Sequence, residues 1–438
     1  MSKRTFLQIT LALLLCFNLG GLAQQPATAP KAAKSKPITR EEVEKLTTEV
    51  LTKTSEVRGL KLLHPVKSGV KSRTEIEQMI LKNLAEETTP EELDAEFKTL
   101  VAFGLVPANF QYKDFMVKLY TEQVAGFYDP KTKELNLADW NSLEMQQPVM
   151  AHELTHALQD QHFDLRRFEK WPKGDGDREM AIHSLIEGDA TALMIDYLMK
   201  PMGTSVTKIP LIALQKMNEQ MNSPDMPAFN SAPNVIKESL IFPYSQGLIF
   251  AYEVMKAQGW EGVSNAYKDL PQSTEQILHP AKYLANEQPV KVALPDVATT
   301  LGHGWKRIKA DVNGEFGYYL ILAEHLDKVI ARKASEGWGG DQYALYENAA
   351  KTQRTLVHLS RWDAAQDAAK FFEAYAARTA KRFPKATANK TPQQIVYAMP
   401  TGEILLELRG DAVLAIEGAA IGTAKKLAVK LWDSKTGN

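Results

Sequence analysis

The stretch VMAHELTHAL, residues 149–158, carries the strongest signal in this chain of 438 residues. It contains the pattern H-E-x-x-H, and neither Pro nor Gly interrupts it, so the whole stretch can be helical. Residues four apart share one face of a helix, which points the imidazoles of His152 and His156 at a common spot. Because the flanking positions are uncharged, we predict that this helix is buried beneath a functional site.

The chemistry that suits this pattern is metal-assisted hydrolysis. Neutral imidazole nitrogen is a good zinc ligand, and His152 with His156 would provide half of a tetrahedral Zn²⁺ site. The carboxylate of Glu153 lies beside the first ligand, where it can take a proton from water that zinc has acidified to a pKa of about 7. The motif therefore predicts a zinc-dependent hydrolase with Glu153 as general base. The competing interpretation is an ordinary amphipathic helix whose two histidines fall on its polar face.

Two residues compete for the third ligand position. His162 lies ten residues after His152, but the pattern with that spacing, H-E-x-x-H-x-x-G-x-x-H, needs Gly for a sharp turn where this chain has Gln159. Glu187 belongs to the stretch AIHSLIEGDATAL, residues 181–193, whose apolar positions indicate a second helix packed on the first. We therefore favour Glu187, which would project from that second helix toward the two histidines.

In this combination the chain resembles the gluzincin metallopeptidases of the peptidase-MA-like group. The resemblance rests on HELTH at residues 152–156, followed by EGDA at residues 187–190. It implies a zinc ion held by His152, His156 and Glu187, and a peptide or protein as the substrate. It also implies a gluzincin-like catalytic core in which a small sheet precedes the H-E-x-x-H helix.

The same resemblance suggests how negative charge is stabilised during the reaction. A helix is expected to open at Phe242 and to end at Gly259 and Trp260. Near its start, Tyr244 and Gly247 form the pattern Tyr-x-x-Gly, which in these peptidases stands at a helix start and follows the glutamate ligand. A neutral phenol held in place there donates a hydrogen bond to the oxyanion without reorganisation. His279, which precedes Pro280 and so lies in extended chain, is the alternative stabiliser. The sequence leaves this choice open.

One position departs from the gluzincin pattern. Thermolysin-like enzymes carry a carboxylate one turn beyond the glutamate ligand, where it orients a zinc-bound histidine, and this chain has Thr191 there. Partners of this kind usually fix the tautomer of the imidazole. Asp189 and Asp160 are the available substitutes, and Asp160 lies four residues after His156, on the same helical face.

A β-hairpin is predicted just before the H-E-x-x-H helix. The stretches QVAGFY, residues 123–128, and ELNL, residues 134–137, flank DPKTK, which has the composition of a turn. An edge strand of such a hairpin can pair with an extended substrate backbone, which gives affinity independent of side chains. This placement favours a peptide substrate.

We expect an α+β fold that is predominantly helical, and the chain divides into five parts. In order they are a signal peptide (1–23), a disordered linker (24–38), an N-terminal helical region (39–120), the zinc metallopeptidase core (121–290) and a C-terminal α+β domain (291–438). The first part has a charged start, an apolar run too short for a membrane span, and small residues at a cleavage site. The second part is rich in Pro, Ala and Lys, which disfavours packed structure.

Within the C-terminal domain, helical periodicity runs from Gly314 toward Lys333 and is expected to stop at residues 336–341, where Gly residues cluster. An Ala-rich helix is expected at 363–383, and strands are expected at 356–362, 394–399, 404–408 and 413–416. Residues 409–411, Arg-Gly-Asp, are interpreted as a turn between two of these strands.

Composition and charge limit the chemistry and the partners that are expected of the protein. Cys16, the only cysteine, lies inside the expected signal peptide, so the mature chain would have no disulfide, no Cys-ligated zinc and no thiol nucleophile. Loss of Lys3 and Arg4 changes the formal charge from -1 to -3, and this near-neutral balance gives no sign of nucleic-acid binding. We expect export to the periplasm or the medium and no membrane span after signal cleavage. The oligomeric state is not determined by these patterns.

Two other functions are compatible with the sequence. The chain could be a non-catalytic, zinc-containing peptide-binding or envelope protein, although such a protein has no need of Glu153. It could instead be a zinc amidase acting on cell-wall material, although the hairpin edge favours an extended peptide. Endopeptidase and exopeptidase action are both compatible with the motif.

Overall fold

The computed structural model describes residues 10–13, 40–140, 143–170, 174–219 and 226–432. The expected signal peptide and linker lie outside these ranges, apart from a short strand at Thr10–Leu13. Within the described ranges, no helix combines the length and the apolar character needed to cross a bilayer. The architecture is α+β with helices predominating, as the sequence indicates.

The N-terminal region supplies four helices. Two of them begin at capping boxes, in which Ser72 pairs with Glu75 and Thr89 with Glu92, so side chains satisfy the first backbone N–H groups. The helices are α1 (Arg40–Arg58), α2 (Arg73–Glu87), α3 (Pro90–Phe103) and α4 (Tyr112–Gln123).

A four-stranded sheet precedes the H-E-x-x-H helix, and its strands are β1 (Thr10–Leu13), β2 (Lys67–Lys71), β3 (Val124–Asp129) and β4 (Glu134–Ala138). Their order is β1-β3-β4-β2. The predicted hairpin is confirmed, since β3 and β4 pair in antiparallel register with Tyr128 opposite Leu135. β2 joins β4 in parallel, and β1 pairs antiparallel with the outer edge of β3. The N-terminal region thus contributes strand β2 to this sheet in addition to its helices.

Long helices form the centre of the molecule. The helices of this part are α5 (Leu143–Phe163), α6 (Gly176–Met199), α7 (Leu211–Glu219), α8 (Pro227–Ser231) and α9 (Asn234–Ala266), with 3-10 turns at Leu165–Lys170, Lys200–Met202 and Val206–Lys208. α5 carries the VMAHELTHAL stretch and packs against β3 and α6. The expectation that a helix opens at Phe242 is wrong, because α9 begins at Asn234 and carries Pro243 in its interior. Gly259, at φ 67°, kinks α9 where a stop was expected, and the helix resumes as far as Ala266.

Helices α6 and α9 cross at two glycines. A Cβ on Gly188 would lie 2.1 Å from the carbonyl oxygen of Gly247, and a Cβ on Gly247 would lie 2.1 Å from the carbonyl oxygen of Ser184. No side chain fits between the two backbones, so only glycine permits this approach. The crossing draws together Glu187, which precedes Gly188, and Tyr244, which lies one turn before Gly247.

The C-terminal domain is built on a seven-stranded antiparallel sheet with the order β5-β6-β7-β11-β10-β9-β8. Its strands are β5 (Lys306–Asp311), β6 (Trp338–Glu347), β7 (Arg354–Trp362), β8 (Thr387–Lys390), β9 (Gln394–Met399), β10 (Gly402–Arg409) and β11 (Ala412–Ala419). The helices that follow α9 are α10 (Thr274–Leu278), α11 (Pro280–Leu284), α12 (Ala298–Leu301), α13 (Gly314–Ala323), α14 (Lys328–Ser335), α15 (Ala365–Arg382) and α16 (Ala424–Trp432).

The strand and helix predictions for this domain are confirmed, with one exception. The single helix expected from Gly314 is divided into α13 and α14, and residues 338–341, expected as its end, open strand β6. The sheet is covered on both faces because its strand residues alternate: Leu406 faces the core that contains Phe371 of α15, whereas Leu405 packs with Leu427 of α16. The sequence Arg-Gly-Asp at 409–411 is the tight turn between β10 and β11.

Candidate metal centre

Two imidazoles converge in the middle of α5. His152 and His156 are both buried, and their Nε2 atoms lie 3.1 Å apart. The ring planes are nearly perpendicular, at 82°, so both Nε2 atoms face the same small volume. This is the convergence that the four-residue spacing predicts.

Glu187 of α6 completes a group of three donor atoms. Its Oε2 lies 3.0 Å from Nε2 of His152 and 3.5 Å from Nε2 of His156. Tetrahedral zinc, with bonds of about 2.0–2.1 Å, spaces its ligand atoms by about 3.3 Å. The observed separations match that spacing, and two imidazole nitrogens with one carboxylate oxygen suit zinc. The three residues therefore fit a zinc ion, for which they would provide three of the four ligands of a tetrahedral site.

The charges in this group suit a cation. Burial alone would raise the pKa of Glu187, but the charge of His156 and hydrogen bonds with His152, His156 and His183 hold it well below 4.5. Burial also lowers the pKa of His152, whereas for His156 the effect of burial is outweighed by the carboxylates of Glu187 and Glu153, which raise its pKa to about 9. A metal ion that binds Nε2 of His156 would compete with a proton for that nitrogen.

Glu153 lies where the sheet meets α5. The backbone N–H of Tyr128 in β3 donates to Oε2 of Glu153 at 2.7 Å, which orients the carboxylate. His152, Glu153 and His156 offer donor atoms that all lie within 4.8 Å of one another. The hydroxyl of Tyr128 also donates to Asp160 at 2.8 Å, so this residue ties β3 to α5 at two points. No sequence pattern predicts this role for Tyr128.

Tyr244 reaches the same centre from α9. Its ring lies against the imidazole of His152, with centroids 5.9 Å apart and planes inclined by 26°, and only 4% of the residue is exposed. Burial, followed by the carboxylates of Glu187 and Glu153, raises the pKa of the phenol well above 10. The hydroxyl is therefore a neutral hydrogen-bond donor. Tyr244 occupies the interior of α9 rather than a helix start, so the Tyr-x-x-Gly pattern here reflects the crossing with α6.

The other two sequence candidates have partners elsewhere. His279, after α10, places Nε2 2.9 Å from Oε1 of Glu315 in α13, and this hydrogen bond is the main cause of its raised pKa. His162, near the end of α5, places Nε2 2.7 Å from the carbonyl oxygen of Lys61. Neither histidine contacts the three donor residues in the part of the chain that the structure describes, so the choice of Glu187 over His162 agrees with the geometry.

Two contacts to the donor residues come from side chains that the sequence analysis overlooked. His183, one turn before Glu187 on α6, places Nε2 3.2 Å from Oε1 of that carboxylate. Gln159, one turn after His156 on α5, places Oε1 2.8 Å from Nδ1 of that imidazole. Helical spacing of three or four residues is the signal that identifies both. Asp160, considered for orienting a histidine, instead bonds the hairpin and the loop after α5.

A family model matches the C-terminal part of the chain. Residues 300–428 match a family described as a domain of unknown function (DUF8575), and this segment contains none of the residues of the metal centre. No curated protein and no solved structure matches the chain. The match coincides with the domain that begins around β5 and ends within α16.

Proposed function

We propose that this protein is a zinc-dependent metallopeptidase of gluzincin type. The observation that carries the proposal is the buried group of His152, His156 and Glu187, with donor atoms spaced as tetrahedral zinc ligands and Glu153 beside them. Structural zinc sites normally have four protein ligands, whereas three ligands with an adjacent carboxylate are typical of catalytic sites. The order of elements agrees with this class, because a small sheet precedes the H-E-x-x-H helix and α6 supplies the third ligand.

When bound, zinc would polarise the substrate carbonyl and lower the pKa of a bound water molecule to about 7. Glu153, held by the N–H of Tyr128, accepts the proton of the attacking water and then passes it to the leaving amine. The neutral phenol of Tyr244 donates a hydrogen bond to the oxyanion. We favour Tyr244 over His279 for this step because Tyr244 packs on His152, whereas His279 is engaged by Glu315.

A peptide with large apolar side chains is the substrate that the surroundings favour. The edge of β3 beside Glu153 already accepts an extended strand, β1, in antiparallel register. A separate cavity of about 250 Å³ lies beside the N-terminal part of α6. It is lined by none of the metal-centre residues, and its lining combines charged side chains such as Glu96 and Lys309 with the apolar residues Leu93, Leu100, Phe103, Met180, Val235 and Phe316. Met180 lies seven residues, two helical turns, before Glu187 and hence on the same face of α6. The cavity is larger than the roughly 150 Å³ that holds benzene in an engineered protein, so its volume suits an aromatic side chain.

We further propose that the protein acts after export, in the periplasm or the medium. The support is the N-terminal pattern of a charged start, a short apolar run and small residues near Ala23. N-terminal sequencing of the protein recovered from outside the cytoplasm tests this, with Gln24 expected as the first residue.

The experiment that tests the activity combines metal content with cleavage of an unfolded protein. The wild-type chain is compared with Glu153→Gln, which keeps the shape of the side chain but removes the base, and with Tyr244→Phe and His279→Ala. We expect one zinc per chain in all four. Loss of the base should reduce cleavage by about 10²–10⁴-fold. Loss of the phenol should reduce it by about 10²-fold, and His279→Ala should be close to wild type.

The outcomes separate the three functions. Zinc without cleavage of any unfolded protein would favour the non-catalytic peptide-binding role. Zinc with hydrolysis of cell-wall amides, but not of proteins, would favour the amidase. Absence of bound metal from the wild-type chain would refute the assignment of the centre.

A further inference from the structure

The imidazole of His156 has a buried partner on the side opposite to the metal-facing nitrogen. Its Nδ1 lies 2.8 Å from Oε1 of Gln159, and both residues have no measurable exposure. A flip of the Gln159 amide that exchanges Oε1 and Nε2 would break two hydrogen bonds, because Nε2 donates to the carbonyl oxygen of Ile186 at 3.1 Å and to Asp189 at 3.0 Å. The oxygen therefore faces His156, and Nδ1 must carry a hydrogen to donate to it.

Asp189 is in turn held by a guanidinium from the N-terminal helix. Arg58, the last residue of α1, donates from Nε to Oδ1 at 2.6 Å and from Nη2 to Oδ2 at 3.2 Å, and the hydroxyl of Tyr267 donates to Oδ2 at 3.0 Å. Arg58 is itself fixed by Ser264 and by the indole of Trp260, whose centroid lies 4.6 Å from the guanidinium carbon. Both oxygens of the Asp189 carboxylate therefore accept hydrogen bonds from buried donors.

We propose that Arg58, Asp189 and Gln159 form a positioning relay that presents His156 to zinc as the Nδ1–H tautomer, with Nε2 as the ligand atom. The inference rests on the proposed function and deepens it. Asp189 and Asp160 were the sequence candidates for orienting a zinc-bound histidine. In the relay, Asp189 orients His156 indirectly, through the amide of Gln159. The three are positioning residues, because none of them touches the metal position or the substrate.

The chemistry of the relay explains why an amide stands between the carboxylate and the imidazole. The charges of Arg58 and Asp189 cancel, and Gln159 adds none, so the relay accepts a hydrogen bond from Nδ1–H of His156 without placing a net charge beside the imidazole. A carboxylate at position 159 would stand 3.0 Å from Asp189, where like charges repel. The relay also makes α1 part of the metal centre, since its last residue anchors the chain of contacts.

The test measures zinc affinity by competition with a chromophoric chelator, a readout that does not require activity. Gln159→Leu removes the acceptor while keeping the bulk, and its affinity is expected to fall about 10–100-fold, as for other partners of metal-bound histidines. Thr155→Val is the matched control, because Thr155 is equally buried on the same helix and bonds only the carbonyl of Ala151 among the described residues. Its affinity should equal that of the wild type.

A charge-preserving swap distinguishes positioning from simple packing. Gln159→Glu alone should weaken zinc binding because its carboxylate would repel that of Asp189. Asp189→Asn alone should weaken it because Arg58 loses its charged partner. Combined, they exchange carboxylate and amide, keep the total charge, and should recover at least tenfold over Gln159→Glu alone. Nitrogen-15 NMR of the zinc-loaded chain should report a protonated Nδ1 on His156 in the wild type and in the swap.

The two proposals fail in different ways. If the wild-type chain binds no zinc, the proposed function is wrong. If the wild type binds zinc and Gln159→Leu binds it equally well, with Nδ1 of His156 still protonated, the relay is refuted while the metal centre stands. If the double variant folds but is no tighter than Gln159→Glu, the relay is likewise refuted.

Discussion

The crossing of α6 and α9 offers the sharpest perturbation of this fold, the substitution Gly247→Ala. The added Cβ would lie 2.1 Å from the carbonyl oxygen of Ser184 and 3.0 Å from Cα of Gly188, and real Cβ contacts shorter than 3.0 Å are essentially never found. Both close atoms belong to backbone, so no side chain can rotate away. The helices must separate by at least the difference between 3.0 and 2.1 Å, which is 0.9 Å.

That displacement has two measurable consequences. Overpacking of this kind costs typically 1–3 kcal/mol, and a backbone-to-backbone clash belongs at the upper end, so we expect a loss of about 3 kcal/mol in the free energy of unfolding. The proposed zinc centre should be disturbed as well, because ligand distances tolerate only about 0.2 Å and Glu187 moves with α6. Zinc affinity should therefore fall by more than tenfold. Denaturant unfolding of the metal-free chain and chelator competition measure the two effects separately.

Gly317→Ala is the matched control for this substitution. Gly317 also lies inside a helix, α13, but the nearest atom to an added Cβ is the Cβ of Asn313 at 3.2 Å, a contact that a shift of a few tenths of an ångström relieves. Replacing a helical Gly by Ala gains up to about 1 kcal/mol in helix propensity, so this variant should be as stable as the wild type or more so. Equal stability and zinc affinity for Gly247→Ala and Gly317→Ala would refute the reasoning.

Three further predictions concern other parts of the chain. Burial lowers the pKa of His358 from 6.5 to about 4. Between these values the unfolded state binds more protons than the folded state, so the free energy of unfolding decreases as the pH is lowered, by about 3 kcal/mol in all. Denaturation between pH 7 and pH 4 should show a flatter dependence for His358→Gln, which keeps neutral hydrogen bonding to Tyr318 and Tyr375, and parallel curves would contradict this. Leu100→Trp, which fills the cavity near α6, should reduce kcat/KM about tenfold for a peptide that contains Phe and spare the same peptide with Ala in its place, whereas an equal loss for both would count against the cavity. A chain beginning at residue 24 lacks the strand Thr10–Leu13 that pairs with β3, and it should bind an extended apolar peptide more tightly than the full chain; unchanged affinity would argue against the edge as the binding surface.

Local patterns predicted the parts of the candidate site that lie on one helix. His152, Glu153 and His156 follow from the 3.6-residue period of α5, and the hairpin before them follows from strand composition around a turn. Glu187 was favoured over His162 from the apolar pattern of its helix and from the resemblance, and its position agrees with the observed distances. Tyr244 was also proposed through the resemblance, although its helix starts at Asn234, eight residues before the expected opening at Phe242.

The contacts between distant segments could not be predicted in this manner. Arg58 lies 131 residues before Asp189, and Tyr128 holds Glu153 through a backbone N–H that carries no sequence signature. Gln159 entered the prediction only because it replaces the glycine that a third ligand at His162 would need. Its spacing of three residues from His156 already indicated a contact with that imidazole. His279 was a reasonable candidate from its position before proline, and its engagement by Glu315 of a later helix became visible only in the fold.

The sequence by itself determined the α+β class, the H-E-x-x-H helix and its two converging imidazoles, the hairpin and most strands of the C-terminal sheet, because each depends on periodicity over a few neighbouring residues. The tertiary structure decided which carboxylate joins the imidazoles, that two glycines let α6 and α9 touch, and that α1 anchors the relay behind His156. These features depend on backbone approach and on buried donor–acceptor geometry between segments far apart in the chain, and such geometry leaves no local period in the sequence.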